Sequence, residues 1–375
     1  MVALAPYFIH GLASAARAAP VSRLIPLQMN AFDLSTIETA VNAWSVNGPD
    51  LNSADLAANL FASSLFPYLA LLFFLARPET RTPTLGNFGF QFLLVFVFAT
   101  IPAGIYAKVA YHDILANVDL LHGAAESFLT VTNLFIISGF RATRKAPADT
   151  SLASTFTDSA LLLVPTALIL FNFWQSGALH PEPANALSIP TWMVHSSSLL
   201  EWLVAMKLIW EHAETSSNPR WKGMTWGMIP SHASGLCACT YHLFYNSPAL
   251  YPLVSIQAGL TVLGNAAMAT AAYRIYSYEK DVLQTSAEKK DDQALMQSYM
   301  QGNNVPLPLP EGDAAFWSSM FVKSALVALI VKYGELFVDF PFDPTVPLAL
   351  AFVLAPTGIN VLKWGSRSTD QPALS

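Results

Sequence analysis

The sequence predicts an all-α protein, a polytopic membrane helical bundle of about nine transmembrane helices. Three observations predict it. Of 375 residues, 53% are hydrophobic and only 12% charged, about half the ~25% charge of a soluble domain. The apolar residues gather into nine stretches, most approaching the ~20 residues that a helix needs to cross ~30 Å of hydrocarbon. Thirteen of the nineteen Lys and Arg residues occupy alternate gaps between those stretches, and the other gaps hold none. Basic residues stay on the side from which insertion occurs, so this alternation predicts both the threading and its sidedness.

The elements follow in order. Leu60–Ala76 ends at Arg77 and Arg81. Phe88–Ala110 leads into a gap around Asp113–Asp119 without Lys or Arg. Leu121–Phe140 ends at Arg141, Arg144 and Lys145. Ser159–Trp174 is the fourth stretch, followed by the base-free Gln175–Asn185 and a Pro-containing loop. Leu187–Trp210 precedes Arg220 and Lys222, and Met224–Phe244 precedes the base-free Asn246–Ser247. Leu250–Ile275 ends among Arg274, Lys280, Lys289 and Lys290. Ala315–Val331 and Pro347–Leu362 close the chain, with Asp339–Asp343 between them and Lys363 and Arg367 after.

Seven segments follow from this punctuation. Residues 1–32 lack Asp and Glu, carry Arg17 and Arg23 and are rich in Ala, as in an organelle-targeting segment. Residues 33–59 form a polar lead-in. A three-helix membrane domain covers 60–145, a connecting helix and loop 146–186, and a second three-helix domain 187–278. The polar, Pro-bearing residues 279–313 read as a flexible loop, and 314–375 as a C-terminal helix pair. Formal charge of −6 carries little information because the charges are segregated by side. No basic run suits a nucleic-acid partner. Cys237 and Cys239 point about 200° apart on one helix and cannot bridge each other.

Polar groups at membrane depth cost free energy and usually face the bundle interior or a wet cavity. His122, Glu126, Thr130 and Asn133 follow a 4, 4, 3 spacing along one helix face. Two readings stand: a ligand or proton site near the base-poor surface, or an interhelix contact with His122 paired to Glu126 at i, i+4. A second cluster comprises His195 and Glu201 on the fifth stretch with His232, Cys239 and His242 on the sixth. The string His232-x4-Cys237-x-Cys239-x2-His242 resembles zinc spacing, but one helix cannot bring all four together, so no metal is expected. His195, His232 or His242 could serve as an axial ligand to haem or chlorophyll, or could be buried and bonded to Ser or Glu.

Small residues on the sixth stretch (Ser231, Ala233, Ser234, Gly235) and the seventh (Gly259, Gly264, Asn265) permit close helix approach. Trp192, Trp202, Trp210, Trp221, Trp226 and Tyr251 lie near span ends, as in an interfacial belt; pigment stacking is the alternative. Lys332 and Glu335 stand one turn apart and suit a local ion pair. No phosphate-cradling glycine loop, H-E-x-x-H or nucleophile elbow occurs, so no catalytic residues and no enzyme activity are expected.

Two segments resemble known families. The strings LSIPTWMVHSSSLLEWLVAMKLIW, WKGMTWGMIPSHASGLCACTYHLFYNSPAL and QAGLTVLGNAAMATAAYRI within 187–278 resemble the hypothetical chloroplast reading frame forty-nine family, an uncharacterised membrane domain of plastids and cyanobacteria. SLFPYLALLFFLAR and FLLVFVFATIPAGIYAKVAYHDILANVDLLHGAAESFLTVTNL within 61–140 look like a second uncharacterised domain of the same organisms. The chain therefore looks like a fusion of the two. The resemblance implies a plastid membrane, the thylakoid before the inner envelope, with basic loops and C-terminus in the stroma. The expected partners are the lipid bilayer and a membrane protein complex. The expected role is an accessory or assembly component of a photosynthetic complex. A small-solute, proton or ion carrier and a pigment- or haem-binding protein are the rivals.

Overall fold

The computed structural model describes residues 53–143, 182–183, 185–216, 218–288, 314–334 and 343–369. The targeting segment, most of the lead-in, the stretch Ser159–Trp174 and most of the polar loop lie outside them. Among the described residues the long elements are eight α-helices, with no strand. These are α1 Ser53–Leu75, α2 Thr84–Tyr106, α3 Asp119–Ala142, α4 Ile189–Thr215, α5 Trp221–Leu243, α6 Tyr251–Glu288, α7 Ala314–Tyr333 and α8 Val346–Thr369. Each matches one of the nine expected stretches. Six of them are long and apolar enough to cross a membrane; the described residues support a helical membrane bundle but not the count of about nine, and the fourth expected stretch lies outside them.

The two helices outside that set, α4 and α5, are long enough but too polar. Their histidines, serines and threonines are tolerated because these helices occupy the centre of the bundle. α4 packs on α3, α5 and α7, and α5 on α4, α6 and α8. A helix surrounded by helices meets protein where its neighbours meet lipid, so its polar groups find partners instead of hydrocarbon.

Helix directions can be read from contact register. α3 touches α4 through Asp119–Ser188, Thr130–Ser197 and Thr143–His212. The sequence separation stays nearly constant along these pairs, so α3 and α4 run parallel. α1 and α6 are also parallel, through Ser64–Asn265, Phe74–Tyr273 and Arg81–Glu279.

These directions gather the basic gaps at one end of the bundle. There Arg81 pairs with Glu279, Lys222 reaches Glu214, Arg141 covers the Phe316 ring, and Trp210 packs on Trp364 at 4.9 Å. The main apolar core lies toward this end and mixes Leu71, Leu75 and Phe140 with Met206, Trp210, Trp221, Met268 and Trp364. Trp192, Trp210 and Trp221 are thus buried core residues and not an interfacial belt. Of the six, only Trp226 and Tyr251 are exposed.

Close approach follows the small residues. Gly264 on α6 lies against Ser231 of α5, as the spacing predicts, whereas Gly259 faces open space. Gly139 of α3 lies against the backbone of Gly86 on α2. Two boundaries shift. α1 is already helical at Ser53, seven residues before Leu60, where Ala54, Leu56, Ala57 and Ala58 favour helix. α6 continues through 279–288, so the start of the polar segment is helical; at ~1.5 Å per residue its 38 residues outrun the hydrocarbon thickness.

Candidate functional site

The site lies at the base-poor end, where α3 and α4 begin and α5 ends. Ser188 caps α4, its side chain accepting from the Thr191 N–H, and Pro190 sits in the first turn. The Ser188 N–H donates to the Asp119 carboxylate at the start of α3 (2.9 Å). This joint sets His122, one turn into α3, beside His195, two turns into α4. α5 descends antiparallel and delivers His242 in its last turn.

The three imidazoles meet. His122 and His195 have ring centroids 4.9 Å apart, His122 and His242 4.7 Å, and His195 and His242 4.8 Å, the last pair stacked. One ring nitrogen from each lies within 4.8 Å of the other two, and all three residues are buried. Trp192 stands edge-on to His195 and His242.

A hydrogen-bond chain fixes the His242 tautomer. The Asp113 carboxylate can only accept, and it takes the Ile114 N–H and the Asn117 amide Nδ2 (both 2.8 Å). That leaves the Asn117 Oδ1 to accept from Asn246 Nδ2 (2.8 Å), which also donates to the Ala116 carbonyl. The Asn246 Oδ1 must then accept, so His242 Nδ1 carries the proton (2.8 Å). Its Nε2 keeps the lone pair. Asn246 reaches this position because it and Tyr245 adopt left-handed backbone (φ 56° and 54°), which turns the chain sharply after α5. Asn tolerates that conformation and Tyr resists it, so the turn stores strain beside the site.

The other expected residues divide. The Glu126 carboxylate stands 3.8 Å from His122 Nε2, the anticipated i, i+4 neighbour at more than hydrogen-bond distance. Thr130 meets Ser197 and Ser198, and Asn133 donates to the Ser198 carbonyl, so this part of the stripe is an interhelix contact. Glu201 is buried farther along α4, near Asn133. His232 is buried on α5 but stands outside the cluster. Helical periodicity puts it about 80° around α5 from His242, and ten residues along a helix are ~15 Å of rise. Cys239 packs against the Leu187, Trp192 and Ala328 group. Lys332 bonds Glu182 (2.9 Å) and the Leu187 carbonyl; its expected partner Glu335 lies outside the described residues. Sequence reasoning missed Asn117 and Asn246; the i, i+4 spacing of His242 and Asn246 was the available signal.

Comparison with known proteins assigns the pieces. A family model described as "Protein of unknown function (DUF2499)" matches residues 186–274, and one described as "Protein of unknown function (DUF3593)" matches 57–145. A "Ycf49-like protein" of Synechocystis sp. is 49% identical over 92 residues, 24% of this chain and 88% of that protein. The chain belongs to the Ycf49-like family. An "Uncharacterized protein ycf49" of Cyanophora paradoxa is 35% identical over 99 residues, 26% of this chain and 94% of that protein. No solved structure matches. The chain is thus a fusion of a Ycf49-like domain with a second domain of unknown function. The histidine cluster straddles the fusion: His122 comes from the segment matched by the DUF3593 model, His195 and His242 from that matched by DUF2499.

Proposed function

We propose that this chain is a non-enzymatic integral membrane protein of plastids, an accessory or assembly component of a photosynthetic membrane complex. The thylakoid is its membrane before the inner envelope, and its basic end faces the stroma. One observation carries the reading: the two family segments interlock into a single body instead of lying side by side as separate units. α1 of the first packs along α6 of the second, and α3 of the first along α4 of the second. The outer faces of that body stay apolar, with Phe98, Ile330, Leu354 and Ile359 among the exposed side chains. Lipid or partner helices cover such surfaces in a bilayer. Relatives named for Ycf49 in a cyanobacterium and in Cyanophora support the plastid placement.

The carrier reading needs Glu126, Glu201, His195 and His232 on one path, and they divide between the cluster and separate interhelix positions. Deleting the gene and following each photosynthetic complex tests the proposal. Selective loss of one complex, with its subunits co-purifying with this chain, is the expected result. Unchanged complexes and no co-purifying membrane partner would sink it.

A further inference from the structure

We infer that His122, His195 and His242 form a binding site for a divalent first-row transition-metal ion of the zinc class. Imidazole is the commonest protein ligand for such ions. Three imidazoles with ring nitrogens within 4.8 Å of one another match the protein share of an open three-histidine site. Zinc–nitrogen bonds of ~2.0–2.1 Å place tetrahedral ligand nitrogens about 3.4 Å apart, so small ring rotations close the site on an ion.

Buried polar atoms in proteins are almost always paired. Here His122 Nδ1 and His195 Nε2 are buried without a hydrogen-bond partner. A core of three histidines kept only for packing would leave these atoms uncompensated, at a cost of about 1–3 kcal/mol each. A shared cation satisfies them. Metal-ligating histidines usually donate their other N–H to an oxygen that fixes the tautomer. The chain from Asp113 through Asn117 and Asn246 to His242 Nδ1 does this, and leaves Nε2 as the donor lone pair.

Glu126, 3.8 Å from His122 Nε2, brings a carboxylate close enough to offset the ion's charge from beyond the His122 ring. A tetrapyrrole suits the site less well. Each imidazole lies in van der Waals contact with the other two, and an axial ligand must present its nitrogen to an open plane. The site is also composite: neither family segment alone supplies three histidines here. This gives the joining of the two domains a chemical consequence, and it stands independently of the accessory-component reading.

The test uses the full chain, purified in mild detergent without a histidine tag, stripped with chelator and titrated with Co2+. About one Co2+ per chain is expected, with the visible absorption of a four-coordinate site, displaced by Zn2+. His195→Gln and His242→Gln should each weaken binding at least ~10-fold. His232→Gln, a buried histidine outside the cluster, should bind as the wild type does. Asn246→Ala keeps all three imidazoles and should lose about 10–100-fold in affinity through the freed tautomer, whether or not the histidine variants stay folded. Wild-type protein that takes up neither ion stoichiometrically overturns the inference. So does undiminished binding by folded His195→Gln and Asn246→Ala, or a stoichiometric haem or chlorophyll band in the purified chain.

Discussion

Asp119, the first residue of α3, accepts a hydrogen bond from the backbone N–H of Ser188, the cap of α4. The bond ties the first family segment to the second at the end where the histidines meet. A hydrogen bond to a charged group contributes about 1.5–3 kcal/mol. Asp119→Ala should therefore lower stability by about that amount, read as a reduced Tm in detergent, while Asp119→Asn should keep part of it. Equal Tm values for all three proteins would show that the joint is held elsewhere.

Gly139 tests the contact between α2 and α3. A Cβ there meets the Gly86 backbone, which cannot swing aside as a side chain could. Gly139→Val should destabilise by roughly 3 kcal/mol or abolish accumulation. Gly104→Ala on α2 meets nothing within 4 Å and should express normally. Full tolerance of Gly139→Val would contradict the packing.

Asn265 donates to the Ser64 carbonyl (3.0 Å) between α6 and α1, a buried link across the fusion. Interhelical hydrogen bonds in membranes average about 0.6 kcal/mol and reach roughly 1.7. Asn265→Ala should cost an amount in that range, measured by denaturant unfolding in mixed micelles. A cost above it would point to lost packing as the dominant effect.

Sidedness is open to labelling. With Cys237 and Cys239 replaced by Ala, Lys280→Cys and Lys363→Cys should react with an impermeant maleimide from one face of sealed vesicles. Ile114→Cys should react only from the other. All three positions are exposed. Labelling of Lys280→Cys and Lys363→Cys from opposite faces would contradict the gathering of the basic ends of α6 and α8 at one end of the bundle.

Eight of the nine expected stretches are helices because apolar length is a local property that survives any packing. Which helices face lipid was less legible. α4 and α5 are more polar than the other long helices, and only their central position explains how those residues are accommodated. Trp210 and Trp221 show the same limit. Near a span end they suggested a belt, but the burial of both follows from neighbours distant along the chain, Trp364 for Trp210 and Phe140 for Trp221.

The histidine site shows the division most sharply. Residue order along α3 placed His122 beside Glu126, and helical periodicity put His232 and His242 within about 80° of each other, because both depend only on spacing within one helix. The meeting of His122, His195 and His242 depends on three helix axes and their relative heights, set by joints such as Asp119–Ser188. Sequence by itself determined the helical membrane architecture, the separation of charge between its ends and the two family segments. Tertiary structure decided which buried polar groups come together, because separation along a helix axis and between helices is not encoded in any single helix's periodicity.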